Sequence, residues 1–215
     1  MRIKVVTCAN EPFLPLLDGW LVSIRKNWPE AEPHIRLVNC PNVDLGCETT
    51  VIRRKFPIFK QEKFYCAHIK PKMMRMVAEE GDGYVFWLDA DSLVINPAKP
   101  LMDFIQKCDF GLIKKKSGRA TASCMSAKCV PEVVSFLRQY EKWTKACEKT
   151  KTPWVADQEA LNWIIPKWKD RIKIAHIPRK LCYWQYIRGS VIYNAKGGSG
   201  RRARAFKHLT RKILK

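Results

Sequence analysis

Asp89 and Asp91 are the residues whose type and setting point most directly to chemistry. They follow at once on Tyr84-Val85-Phe86-Trp87-Leu88, an unbroken apolar run. Such a run reads as a strand buried on both faces. Where a strand ends the backbone turns, and both carboxylates can then converge. Two carboxylates held close together repel unless a proton or a cation lies between them. Hard oxygen ligands select Mg²⁺ or Mn²⁺, which keep coordination positions for the phosphates of a substrate. The plainer alternative is that Asp89 ends the strand and Asp91 caps the next element. The apolar strand before the pair, and Ser92-Leu93-Val94-Ile95-Asn96-Pro97 after it, favour the metal reading.

Such a pair needs a scaffold, and the rest of the chain supplies the pattern for one. Ile3–Thr7 is a β-branched run that predicts a first strand, broken by Asn10-Glu11-Pro12. Leu17, Trp20, Leu21 and Ile24 repeat at helical spacing within 14–27. Ile35–Val38 predicts a second strand and 39–50 a loop, while 51–66 carry no clear periodicity. Lys70–Glu80 predicts a helix, with Pro71 in its first turn and a stripe of Met73, Met76 and Val77. Leu93–Ile95 is a short apolar stretch; 101–107 read as helix and Phe110–Ile113 as strand. Pro131–Cys147 is an amphipathic helix, Asp157–Ile165 a shorter one ended by Pro166, and Ile172–Ile177 a late strand. Strands alternating with helices indicate an α/β fold with a largely parallel sheet. Ligands of such sheets bind beyond the carboxyl ends of the strands, where Asp89 and Asp91 lie.

Size and composition bound the classes. A chain of 215 residues suits a single domain with a short tail. With 47% apolar residues it can bury a real core, which excludes a disordered chain. No run of about 18 apolar residues is present to span a membrane. Met1–Asn10 lacks the apolar core and cleavage site of a signal peptide, so none is expected. The nine cysteines form no CxxC pair, arguing against a zinc site of ordinary spacing and for reduced thiols in the cytoplasm. A net charge of +20 favours an anionic partner: nucleic acid, lipid headgroups or phosphorylated substrates.

From Val85 to Ile95 the chain resembles the GT-A glycosyltransferases, whose signature is a strand, a D-x-D motif and a short strand. Asp157-Gln158-Glu159-Ala160-Leu161-Asn162 is similar to the D-Q-x-x-L-N segment of their family 8-like branch. Lys72 stands seventeen residues before Asp89, where that branch often carries a basic residue near the donor. Ile192–Gly198 resembles the late loop over the diphosphate. The compact length is similar to that of bacterial and large-DNA-virus members. The resemblance implies a Rossmann-like, mostly parallel sheet flanked by helices over residues 1–196, followed by a basic tail over 197–215. It implies transfer of a sugar from a nucleoside diphosphate, with UDP the expected nucleotide, to a glycan, lipid-linked or protein-linked hydroxyl.

Residue by residue, the resemblance implies metal ligation of Mn²⁺ or Mg²⁺ by Asp89 and Asp91, with Asn194 where the family usually has a histidine. His208 or His176 are alternative third ligands. It implies donor contacts from Thr7, Ala9, Asn10, Lys72, Asp89, Ala90 and Lys196. Asp157 is a base if the reaction inverts configuration; if it retains, Asp157 or Gln158 lines the reacting face. As an alternative, Asp157 is only a helix N-cap. Ala203, Phe206, Leu209, Ile213 and Leu214 give the tail an apolar face, suited to contact with a membrane surface or to packing on the domain. Two other functions fit the sequence less well: an inactive relative of the same fold, and a basic nucleic-acid-binding protein.

Overall fold

A computed structural model describes residues 2–56, 59–115, 117–147, 155–183, 188–195 and 200–214. Its centre is a seven-stranded sheet in the order β3-β2-β1-β4-β7-β6-β8. The strands are β1 (Ile3–Asn10), β2 (Ala31–Val38), β3 (Glu48–Ile52), β4 (Tyr84–Leu88), β6 (Phe110–Lys114), β7 (Ala120–Lys128) and β8 (Ile174–His176). β1 runs parallel to both β2 and β4, and β2 to β3. β7 enters antiparallel between β4 and β6, and β8 is again parallel to β6. A smaller sheet, in the order β5-β10-β9, is built from β5 (Ser92–Val94), β9 (Cys182–Tyr183) and β10 (Ile192–Asn194).

Helices cover both faces of the large sheet because its strands are apolar on both. On one side α1 (Leu17–Asn27) and α4 (Lys99–Ile105) pack with Val5, Ala9, Phe86 and Leu88. On the other, α3 (Lys70–Glu79), α5 (Pro131–Cys147) and α6 (Ala156–Trp168) pack with Val6, Cys8, Val85 and Trp87. Successive residues of β1 and β4 therefore feed opposite cores, as the two-residue period of a strand requires. Trp28 meets Phe86 edge-on at 5.1 Å in the first core, and Phe110 meets Phe136 at 4.7 Å in the second. Gly83 leads into β4 with φ 93°; a Cβ there would stand 2.1 Å from the Arg2 carbonyl oxygen, so only glycine admits this approach.

The structure extends or corrects several readings of the sequence. β3 and α2 (Phe59–His68) occupy stretches read as loop or left unassigned. A short 3-10 helix, Glu11–Leu16, precedes α1. α6 does not stop at Pro166 but runs on to Trp168. Burial of Ala160, Leu161 and Ile164, with the edge-on contact of Trp168 to Phe136 at 5.8 Å, outweighs the hydrogen bond that proline removes. None of the nine cysteines is in a disulfide.

The tail forms α7 (Gly200–Leu214), and its apolar face is spent on the domain. Phe206 and Ile213 are buried against Leu93, Tyr193 and Ala195. Lys26 Nζ donates to the Ile213 carbonyl at 2.7 Å. A Cβ on Gly19 of α1 would come within 2.8 Å of Thr210 Oγ1, so α1 and α7 lie close. Arg204, Lys207, His208, Arg211 and Lys212 remain exposed. Among the described residues no helix is long and apolar enough to cross a membrane.

Candidate active site

The apolar run of β4 stops where the sheet surface gives way to a cleft of about 550 Å³. The Ser92 N–H donates to the Asp89 carbonyl at 2.9 Å, closing a tight turn over Asp89-Ala90-Asp91-Ser92. That turn brings Asp89, Ala90 and Asp91 to the same wall. β5 then leads away, and β10 pairs with it so that Asn194 stands opposite Ser92. Asn194 Nδ2 donates to Ser92 Oγ at 2.8 Å, and the Ala195 N–H donates to the Asp91 carbonyl at 2.8 Å. Asp91 and Asn194 are buried and both line the cleft.

Beside Asp89 the cleft is lined by an ionic cluster centred on Lys70, the first residue of α3. Lys70 Nζ lies 3.0 Å from Asp89 Oδ1 and 3.3 Å from Asp157 Oδ2. It also donates to the Ala122 carbonyl at 3.2 Å and sits 5.6 Å from the centre of the Trp87 ring. Asp89 Oδ1 accepts a second bond from Trp87 Nε1 at 2.7 Å. Asp157 Oδ1 accepts from the Gln158 N–H at 2.8 Å. Burial by itself would lower the pKa of Lys70, but Asp89 and Asp157 outweigh it and hold the ammonium above the ordinary lysine value. Burial raises the pKa of Asp157; Lys70 pulls it down, Asp89 pushes it up, and the sum lies above the ordinary aspartate value. Asp157 is not an N-cap: Val155 holds that position, and Asp157 lies in the first turn of α6, where the helix dipole favours an anion.

The remaining residues anticipated from the sequence divide by strand and helix phase. Asn10 lines the cleft together with Cys8, whereas Thr7 and Ala9 are buried outside its lining. Alternation along β1 is the reason, because even-numbered residues share one face and odd-numbered ones the other. Lys72 is exposed and outside the cleft, a correction in favour of Lys70. Lys70 is in helical phase with the buried Met73, Met74 and Val77, and Lys72 is not. That phase was the signal by which Lys70 could have been found. Gln158 lines the cleft and accepts from Lys115 Nζ at 2.8 Å. Lys115, Phe13, Cys66, Thr121 and Ser123 also line it and were not anticipated. Lys196 lies outside the described residues. His176 and His208 are exposed and absent from the cleft, so neither stands in for a third ligand there.

The donor set suits a hard divalent cation. Asp89 Oδ2 takes no bond from a described residue, and Asp91 and Asn194 line the same cleft. Among the described residues no group of three or more histidine, cysteine or acidic side chains forms an all-protein cage. Mg²⁺ and Mn²⁺ do not need one: they are commonly held by one or two carboxylates, with waters and substrate phosphates completing the shell.

No protein-family profile and no curated protein sequence matches the chain. Solved structures do. The glycosyltransferase GlyE of Streptococcus pneumoniae TIGR4 superposes with a TM-score of 0.65 at 11% identity, covering all of this chain and 62% of GlyE. The galactosyltransferase LgtC, solved with donor and acceptor sugar analogs, gives 0.60 at 13% identity over 99% of this chain and 96% of LgtC. An active-site mutant of LgtC gives 0.61 at 12% identity, covering 97% and 95%. The chain thus spans less than two thirds of GlyE and nearly all of LgtC. Its mostly parallel sheet flanked by helices is the GT-A fold of these glycosyltransferases.

Proposed function

We propose that this protein is a metal-dependent glycosyltransferase that moves a sugar from a nucleoside diphosphate, UDP by preference, to a hydroxyl-bearing acceptor. The observation that carries the reading is the turn at Asp89-Ala90-Asp91, which aims two carboxylates into one cleft at the carboxyl end of β4. The shared fold of solved glycosyltransferases supports it. Asp89 through Oδ2, Asp91 and the Asn194 oxygen are the residues to hold Mn²⁺ or Mg²⁺. The cation would neutralise charge on the departing diphosphate.

The protein's own groups serve the other half of the reaction. Both oxygens of Asp157 are engaged, one by Lys70 and one by the Gln158 N–H. That suits electrostatic stabilisation of positive charge on the reacting sugar rather than removal of a proton. Asp89, Asp157 and Lys70 together carry one net negative charge beside the reacting face. Gln158 presents its side chain to the same space. In the transfer, the bond from the anomeric carbon to the diphosphate oxygen breaks and its electron pair leaves with the nucleoside diphosphate. The acceptor oxygen bonds to that carbon, and its proton ends on the departing phosphate.

Calorimetric titration of UDP with and without Mn²⁺, beside Asp91→Ala, tests the reading. Metal-dependent binding that the variant loses is the expected result, followed by turnover of at least one UDP-sugar at a rate the variant lowers on the order of 10³-fold. If neither UDP nor any other nucleoside diphosphate binds with metal present, the reading is wrong.

A further inference from the structure

We infer that the acceptor for this site carries an anionic group, a phosphate or a carboxylate, and that Lys115 binds it. The inference rests on the glycosyltransferase reading and adds to it the chemical class of the acceptor. Among the described residues, the charged side chains on the cleft wall are Lys70, Lys115, Asp89, Asp91 and Asp157. Lys70 is fully neutralised within the protein, at 3.0 Å from Asp89 and 3.3 Å from Asp157. Lys115 is different. Its partner is the neutral oxygen of Gln158 at 2.8 Å, and it makes no ion pair with a described residue. An ammonium has three donors, so two remain after Gln158 is served. A half-buried charge of this kind attracts an anion more strongly than the same group in open water.

Position assigns the anion to the acceptor. The donor diphosphate is assigned to Asp89 and Asp91, which would hold the cation that balances it, whereas Lys115 is bonded to Gln158. Lys115 sits at the root of the β6–β7 turn, closed by the Lys115 N–H to the Arg119 carbonyl at 2.8 Å and the Gly118 N–H to the Lys115 carbonyl at 3.0 Å. The turn is tied to α6: the Ala120 N–H donates to Asn162 Oδ1 at 3.0 Å, and Asn162 Nδ2 to the Gln158 carbonyl at 2.6 Å. The cation is thus held in fixed relation to Gln158 and Asp157, on the reacting face. A negative substituent near the reacting hydroxyl falls within its reach. Lys114 and Arg119 are exposed on the same turn, so the rim adds attraction of the same sign.

Matched acceptors that differ by one charge test this: methyl glucoside against its 6-phosphate, and methyl glucoside against methyl glucuronide. Each is supplied with the UDP-sugar that the protein turns over and with Mn²⁺. The anionic member of at least one pair should be preferred by tenfold or more in kcat/KM, and the two pairs separate phosphate from carboxylate. Lys115→Gln should bring the preference close to unity while UDP binding, read by calorimetry, persists; Lys115→Arg should keep it. If none of the three is glycosylated, each is tested as an inhibitor of UDP-sugar hydrolysis, where the same preference and the same loss in Lys115→Gln are expected. Equal treatment of neutral and anionic compounds overturns the inference. So does an equal fall for both in Lys115→Gln, which would make Lys115 only a support for Gln158. Failure of the anionic compounds to bind a protein that does bind UDP overturns this inference and leaves the glycosyltransferase reading standing; failure of UDP itself removes that reading first.

Discussion

At one corner of the cleft, Asp89 and Asp157 share a lysine that the chain itself provides. At the other, Asp91 is grouped with Ser92 and Asn194, a neutral hydroxyl and a neutral amide bonded to each other. A single residue separates Asp89 from Asp91, yet the described groups around them differ in kind. The first corner carries its own cation as folded. The second brings the Asp91 carboxylate together with Ser92 and Asn194, and oxygen donors are the kind that hard divalent cations select. Under the glycosyltransferase reading the two corners would have different tasks: one would shape the field at the reacting sugar, the other would take the cation, with Asp89 common to both.

The contrast can be broken most severely at Lys70. Lys70→Met would leave Asp89 and Asp157 as neighbouring carboxylates with no cation, at a cost of about 3–5 kcal/mol at neutral pH. Urea unfolding measures it. The sign with pH is defined: without Lys70 the folded pKa of Asp157 rises further above its unfolded value. Such a group costs stability as pH rises between those two values. The deficit of the variant should therefore shrink as pH falls, and a deficit independent of pH would deny the shared-lysine account.

Next in size is the effect of Asp157 on the rate. Its pKa is raised, so the carboxylate charge is lost as pH falls through a value above the ordinary aspartate figure of about 3.9. Turnover should decline in that range, and Asp157→Asn should remove this acid limb and lower turnover about 10²-fold. Rate measurements against pH on both proteins decide it; an unchanged limb in the variant would move the titration to another group.

A smaller effect sharpens the second corner. Asn194→His should tighten Mn²⁺-dependent UDP binding about tenfold, since imidazole is the better ligand, a gain of roughly 1.4 kcal/mol. No gain by calorimetry would place Asn194 outside the coordination shell. The smallest effect belongs to Lys72. Lys72→Ala should alter neither UDP affinity nor stability by more than about 0.5 kcal/mol, because its side chain is exposed and away from the cleft.

What could be read in advance followed from short-range pattern. The apolar run Tyr84–Leu88 fixed a buried strand, and the acids after it marked where the strand leaves the sheet. Pro131–Cys147 was legible as a helix to its last residue because its apolar face repeats cleanly. The second sheet was not legible: β9 and β10 are two and three residues long, too short for periodicity, and they exist through pairing with distant β5. Lys72 follows from the resemblance, by its spacing before Asp89, whereas phase along α3 is what turns a side chain inward and brings Lys70 to the cleft. Lys115 lies in a basic turn that resembles any solvated loop, and only the tie to α6 reveals that it faces the cleft. The membrane-surface reading of the tail rested on an apolar face that α7 instead buries against Leu93 and Tyr193.

The seating of α7 also orders events in time. All strands of both sheets precede α7 in the chain, and a nascent polypeptide folds largely from its N-terminal side. The large sheet and the lysine corner can assemble on the ribosome while Leu93 and Tyr193 still lack the helix that covers them. The Asp91 corner adjoins those two residues, so α7 adds to its support. A partly synthesised chain could thus hold its charged trio of Lys70, Asp89 and Asp157 before α7 covers Leu93 and Tyr193.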